Sequence, residues 1–276
     1  MSRAIILQHA AHAAPGRIVP IFRDFGIPTE TRKLWQGDEV PTDLDEVRLL
    51  VVLGGMKFAD VTTERFPYLA TEVKTLQRMV AIDRAVLAID FGAQLLAHAA
   101  GAKVHPNVKA PPHVPHGQTP PPTTEPPEVI PEYGWGPVTF PFPGGTEPIV
   151  FGMTDGAAMF HWHDDAFELP RLPAPASPPP PPAPPPPTGN ALLSSSKLCK
   201  NQAFRFKNRL FGFQYHFELT EQEIEAYCDA GREDLVRVLG PDGLGKVREG
   251  TKQFYPRYCR LGDRLVKNFV QFLKAY

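Results

Sequence analysis

Two hydrophobic patterns alternate over the first hundred residues. Short, nearly unbroken apolar runs occur at Ala4–His9, Arg48–Leu53 and Ala85–Ile89. Runs of this length and β-branched content predict strands buried on both faces. Thr31–Trp35 is a further predicted strand. Between them, Tyr68–Ile82 carries Leu69, Val73, Leu76 and Val80 at helical spacing, and Ala93–Ala100 is rich in Ala and Leu, so both segments predict helices. Strand, sharp turn and helix in repeated order imply a parallel sheet covered by helices on both sides.

Beyond Pro131 the pattern shifts to short runs separated by turn residues: Pro137–Phe140, Pro148–Phe151, Ala158–Phe160, Ala191–Ser195, Gln202–Phe206 and Leu210–Tyr215. These predict strands. From Thr220 the chain turns helical, over Thr220–Ala230, Glu233–Leu239 and Leu261–Ala275. Thr220 and Glu223 have the spacing of a capping box.

Composition changes this picture in one respect. The 276 residues include 33 prolines, of which nine fall in Pro111–Pro131 and twelve in Pro170–Pro187. Proline lacks the N–H that helices and central strands need, so segments 111–131 and 170–190 are expected as Pro-rich insertions with polyproline II character. His105, His113 and His116 bracket the first and are expected in solvated loop. The remainder has ordinary proline content, and one domain spanning 1–276 is expected, with 220–276 as a helical extension packed upon it.

Charge and cysteine content exclude several classes. With 29 Lys and Arg against 30 Asp and Glu, the net charge is −1. There is no basic field for nucleic acid and no polybasic patch for a membrane surface. No run reaches the ~18 apolar residues of a membrane span, and Met1–His9 turns polar too early for a secretory signal. Cys199, Cys228 and Cys259 show neither metal-ligand spacing nor a disulfide framework. A cytoplasmic protein without metal or cofactor is expected; assembly with itself or with another protein stays open.

Three segments carry chemistry: Leu53-Gly54-Gly55-Met56, Ala88-Ile89-Asp90-Phe91-Gly92-Ala93-Gln94, and Phe211-Gly212-Phe213-Gln214-Tyr215-His216-Phe217-Glu218. A residue at a strand-to-helix turn projects from the sheet edge where open α/β sheets bind ligands. The following helix start adds backbone N–H groups and a positive dipole. Gly54-Gly55 offers another N–H. His216 and Glu218, two apart on a strand, share a face, an arrangement suited to an imidazole oriented by a carboxylate.

Together with Glu132-Tyr133-Gly134-Trp135, Met159–Asp164 and Asn201–Arg205, these segments resemble the class I glutamine amidotransferases, in particular stand-alone proteins similar to the glutaminase domain of GMP synthase. The resemblance covers most of the chain outside the two Pro-rich tracts. It implies a flavodoxin-like three-layer α/β sandwich with a mostly parallel central sheet and extra C-terminal helices. It also implies a Cys–His–Glu triad that opens the side-chain amide of glutamine through a thioester. His216 matches the base and Glu218 its orienter. Gly54, Gly55 and Phe91 match the turn and amides that hold the oxyanion, Gln94 matches the glutamine-binding turn, and His161 and His163 sit where the family lines its cleft.

The nucleophile departs from the pattern. Asp90 stands where the family has cysteine, Ala88 replaces a usual glycine and Met56 a usual proline. A carboxylate attacking a carboxamide would form a mixed anhydride, far above a thioester in energy, and Asp is a weak nucleophile. The expectation is therefore a protein that keeps a small-ligand pocket for a glutamine-like molecule but lacks ordinary glutaminase turnover. The alternatives are a hydrolase in which Asp90 and His216 activate water, metal binding by Asp90, His216 and Glu218, or amidotransferase activity by an unforeseen mechanism.

Overall fold

The computed structural model describes residues 3–62, 64–109, 127–172 and 189–275. In chain order its strands and helices are β1 (Arg3–Gln8), α1 (Ile18–Asp24), β2 (Thr29–Lys33), β3 (Val47–Val52), α2 (Tyr68–Ala81), β4 (Val86–Ile89), α3 (Phe91–Ala99), β5 (Val104–Pro106), β6 (Glu132–Val138), β7 (Ala157–His163), β8 (Asp165–Phe167), β9 (Asn190–Ser194), β10 (Ala203–Phe206), β11 (Leu210–Phe213), α4 (Glu221–Ala230), α5 (Arg232–Leu239) and α6 (Gly243–Ala275).

Seven strands form the central sheet in the order β2-β1-β3-β4-β11-β10-β9. The first five run parallel, and β10 and β9 close one edge antiparallel. Successive residues of the parallel strands feed opposite faces. Ala4, Ile6, Leu49, Val51, Leu87 and Ile89 pack with α1, α4 and α6. Ile5, Leu7, Leu50, Val52, Val86 and Ala88 pack with α2 and α3. Burial on both faces is why these strands read as continuous apolar runs, and it makes the molecule a three-layer α/β sandwich with a mostly parallel sheet.

Several sequence expectations are corrected. Pro148–Phe151 is not a strand: Pro148–Val150 forms a 3-10 turn with proline at its start, where a missing N–H costs nothing. Of the strand expected at Pro137–Phe140, Pro137 and Val138 form the end of β6, which begins at Glu132 and pairs with β7 along its length, while Thr139 makes an isolated bridge to Ser195. The last helix begins at Gly243 rather than Leu261 and continues through Pro256. Its buried stripe of Val247, Tyr258, Leu265, Val266, Phe269 and Val270 outweighs the broken hydrogen bond. The Thr220 capping box is present, with Thr220 Oγ1 accepting from the Glu223 amide and Glu223 returning to the Thr220 amide. The bulk of both Pro-rich segments, 110–126 and 173–188, lies outside the described residues, as do His113 and His116.

Candidate active site

β4 ends at Ile89 and α3 begins at Phe91, so the single residue Asp90 must make the turn. It does so at φ 54° and ψ −119°, a region that L residues seldom occupy and that marks the strained elbow between strand and helix. Three backbone bonds hold it. The Asp90 amide donates to Phe213 O at 2.7 Å, and Asp90 O accepts from the Ala93 and Gln94 amides at 2.9 and 3.2 Å. Close packing below the turn requires glycine at 92, since a Cβ there would meet Val52 O at 2.2 Å.

The Asp90 carboxylate is buried and lies against the Gly54-Gly55 turn at the end of β3. A Cβ on Gly54 would fall 2.4 Å from Asp90 Oδ2, and the Gly55 amide donates toward that oxygen at 3.5 Å. Asp90 Oδ1 accepts from Gln214 Nε2 at 3.3 Å, and Gln214 Oε1 in turn accepts from Gln94 Nε2 at 3.3 Å. Phe91, the first residue of α3, contributes an N–H that has no intrahelical acceptor.

His216 follows β11 and is anchored through its amide to Phe160 O at 2.8 Å. Its Nδ1 lies 2.8 Å from Glu218 Oε1, and its Nε2 lies 3.7 Å from Asp90 Oδ2. The Phe217 amide donates to Glu218 Oε2 at 2.9 Å. Burial alone would drive the imidazole pKa down. The carboxylates of Glu218 and Asp90 outweigh it and hold the ring protonated up to about 10. The His12 ring, nearby against Tyr227 at 4.8 Å between centroids, is pushed the other way by burial and by the charge on His216.

Arg17 locks this segment from behind. Its guanidinium donates to Phe217 O and Leu219 O and pairs with Asp263 of α6 at 2.7 Å. Its backbone amide donates to Glu218 O at 2.9 Å, and Tyr258 Oη accepts from the Leu219 amide at 3.1 Å.

A cleft of about 350 Å³ opens above Asp90. Gly55, Gln94 and His163 line it together with His12, Trp162 and Tyr133. Its rim carries both signs of charge, from Lys57 and Arg65 to Asp164, Asp165 and Asp234. Lys57 and Arg237 bridge Asp164 to Asp234 across the mouth.

The sequence-selected residues thus fall into two groups. Asp90, His216, Glu218, Gly54, Gly55, Phe91 and Gln94 converge at one sheet edge. His163 reaches the cleft wall, whereas His161 is buried outside the cleft lining. It joins His163 and Glu132, whose ligating atoms lie within 4.8 Å of one another. Burial pushes His161 down to about 4. Burial also acts to raise Glu132, but His163, His161 and Ser196 hold it near about 2. No sequence signal pointed to Glu132 as a partner of the two histidines, because only the register of β6 on β7 sets it opposite His163. Gln214 was also missed, although it continues the His216 and Glu218 alternation one step back.

No protein-family model matches the chain. It is 24% identical over 249 residues to the glutamine amidotransferase-like protein YfeJ of Salmonella typhimurium, covering 90% of this chain and 88% of that one. Among solved structures it superimposes on a glutamine amidotransferase of Thermotoga maritima with a TM-score of 0.71 at 20% identity, over 98% of both chains. A glutamine amidotransferase of Methylobacillus flagellatus gives 0.70 at 19% identity, over 99% of this chain and 95% of that one. The chain therefore has the fold of solved glutamine amidotransferases and is similar over nearly its whole length to a glutamine amidotransferase-like protein.

Proposed function

We propose that this is a glutamine amidotransferase-like protein in which Asp90 replaces the elbow thiol, and that its cleft binds a small amide-bearing ligand without glutaminase turnover. The observation that carries the proposal is the geometry at the elbow, where the Asp90 carboxylate fills the turn beside Gly54-Gly55 and lies 3.7 Å from His216 Nε2. Glu218 holds His216 Nδ1 at 2.8 Å, and against the opposing pull of burial the Glu218 and Asp90 carboxylates push the ring's pKa up to about 10, which works against its taking a proton at neutral pH. The carboxylate beside it offers only the high-energy anhydride route. The same geometry disfavours an Asp90–His216 water-activating hydrolase, since that mechanism also needs a neutral imidazole or a carboxylate free of its counter-ion.

The oxyanion donors support the same reading. The Gly55 amide already faces Asp90 Oδ2, so a substrate oxygen would compete with the protein's own anion. The cleft supports the ligand-binding half of the reading. A cleft of about 350 Å³ lies within the ordinary range for small-molecule sites, and its mixed rim suits a molecule bearing both charges.

Glutamine titrated into the full chain by calorimetry, with ammonia assayed in the same samples, tests the proposal. Saturable binding is expected with ammonia at buffer background, and Asp90→Cys is expected to release ammonia measurably. Wild-type ammonia release that Asp90→Asn abolishes would overturn the loss of turnover. Absence of any saturable heat would overturn the ligand-binding half.

A further inference from the structure

The β6–β7 hairpin carries a second polar cluster, on different elements from Asp90, His216 and Glu218. Glu132 lies opposite His163 in the register, and His161, two residues earlier on β7, shares its face. Glu132, His161 and His163 are 7%, 1% and 3% exposed, and one ligating atom from each lies within 4.8 Å of the other two.

The proton inventory of this cluster is short. His163 Nδ1 lies 2.9 Å from Asp165 O, and His161 Nε2 lies 3.3 Å from Gly136 O. A carbonyl only accepts, so these nitrogens carry the ring protons. His161, and His163 in its neutral form, then present the other nitrogen as a lone pair. His163 Nε2 stands 3.2 Å from Glu132 Oε2, outside hydrogen-bond geometry, and His161 Nδ1 has no partner among the described residues. Gln202 Oε1 is likewise buried without a partner there, while its Nε2 donates to Glu132 Oε2 at 2.5 Å. A buried carboxylate faced by unpartnered lone pairs is costly unless a cation sits among them.

The chemistry of the set selects the cation. Two imidazoles and one carboxylate are the donors of zinc-type sites, whereas calcium and magnesium take oxygen alone. The 3.2 Å between Glu132 Oε2 and His163 Nε2 is close to the ~3.4 Å edge of a tetrahedron built on ~2.1 Å bonds. The carbonyl bonds to the far ring nitrogens are the outer contacts that orient metal-bound histidine, and Ser196 Oγ, donating to Glu132 Oε1 at 2.7 Å, orients the carboxylate similarly.

We infer that Glu132, His161 and His163 bind one divalent transition ion of the zinc type, with Gln202 Oε1 or a water as fourth ligand. Such an ion would clip the hairpin that bears Tyr133, Trp162 and His163 of the cleft wall to the segment before β10.

The test is titration of zinc chloride into the chelator-treated full chain by calorimetry, with cobalt(II) as a spectroscopic substitute. One zinc per chain and intense tetrahedral cobalt bands are expected. His161→Gln and Glu132→Gln are expected to weaken zinc binding ~100-fold or more, and His105→Gln, on exposed β5, to leave it unchanged. The wild-type cobalt spectrum distinguishes the outcomes even if a variant fails to fold. No stoichiometric zinc, an octahedral cobalt spectrum, or affinity untouched in folded His161→Gln and Glu132→Gln would overturn the inference.

Discussion

His216 Nε2 stands 3.7 Å from Asp90 Oδ2, with both side chains shut away from solvent. Because Nδ1 of the same ring is bonded to Glu218 at 2.8 Å, one imidazolium serves two buried carboxylates. Its removal would leave both uncompensated. His216→Gln is expected to lower stability by about 3–5 kcal/mol in denaturant unfolding. The pH dependence has a fixed sign. The folded pKa of about 10 exceeds the ordinary 6.5, so this stabilisation is complete below pH 6.5 and is lost as pH rises through about 10. The variant should lack that decline.

The elbow depends on the absence of a side chain at position 92. With Val52 O 2.2 Å from where a Cβ would sit, the contact is with backbone that a rotamer change cannot relieve. Gly92→Ala is expected to cost ~1–3 kcal/mol or more, seen as a lower melting temperature together with loss of ligand binding. An unchanged melting temperature would show that α3 can move off β3.

Much of this architecture is legible in the sequence, and the parts that are not share a physical cause. β3 and β4 are buried on both faces, so their apolar runs and the turns after them locate Gly54, Gly55 and Asp90 directly. α1 spans seven residues and contains Pro20, too short and too interrupted for a periodic signal. β5 and β8, of three residues each, are likewise too short for an alternating signal and are held by pairing with each other. The helix α6 is hidden by Pro256 and recovered by tertiary burial. The Glu132–His161–His163 cluster depends on cross-strand register, a long-range property that residue spacing does not carry.

Tyr227 is buried against His216, with ring centroids 4.8 Å apart, and its hydroxyl has no partner among the described residues. An unsatisfied buried hydroxyl costs free energy that a phenyl ring does not. Tyr227→Phe should therefore leave the unliganded protein equally stable or up to ~1 kcal/mol more stable. A loss larger than that in a thermal melt would reveal a bonded hydroxyl.

Arg17 joins the loop before α1 to Phe217, Leu219 and Asp263 through one planar guanidinium. Arg17→Lys retains the charge and loses the fork. It is expected to recover little of the ~3 kcal/mol that Arg17→Met would cost, as read from denaturant midpoints of the two variants. Full recovery by lysine would assign the stabilisation to charge alone.

Nitrogen-15 NMR of the histidine side chains measures the protonation state that the account predicts for the site. At pH 7 His216 should show both ring nitrogens protonated, and this signature should persist until about pH 10. A neutral His216 ring at pH 7, titrating near 6.5 with Asp90 in place, would contradict the account and restore a competent base to the site.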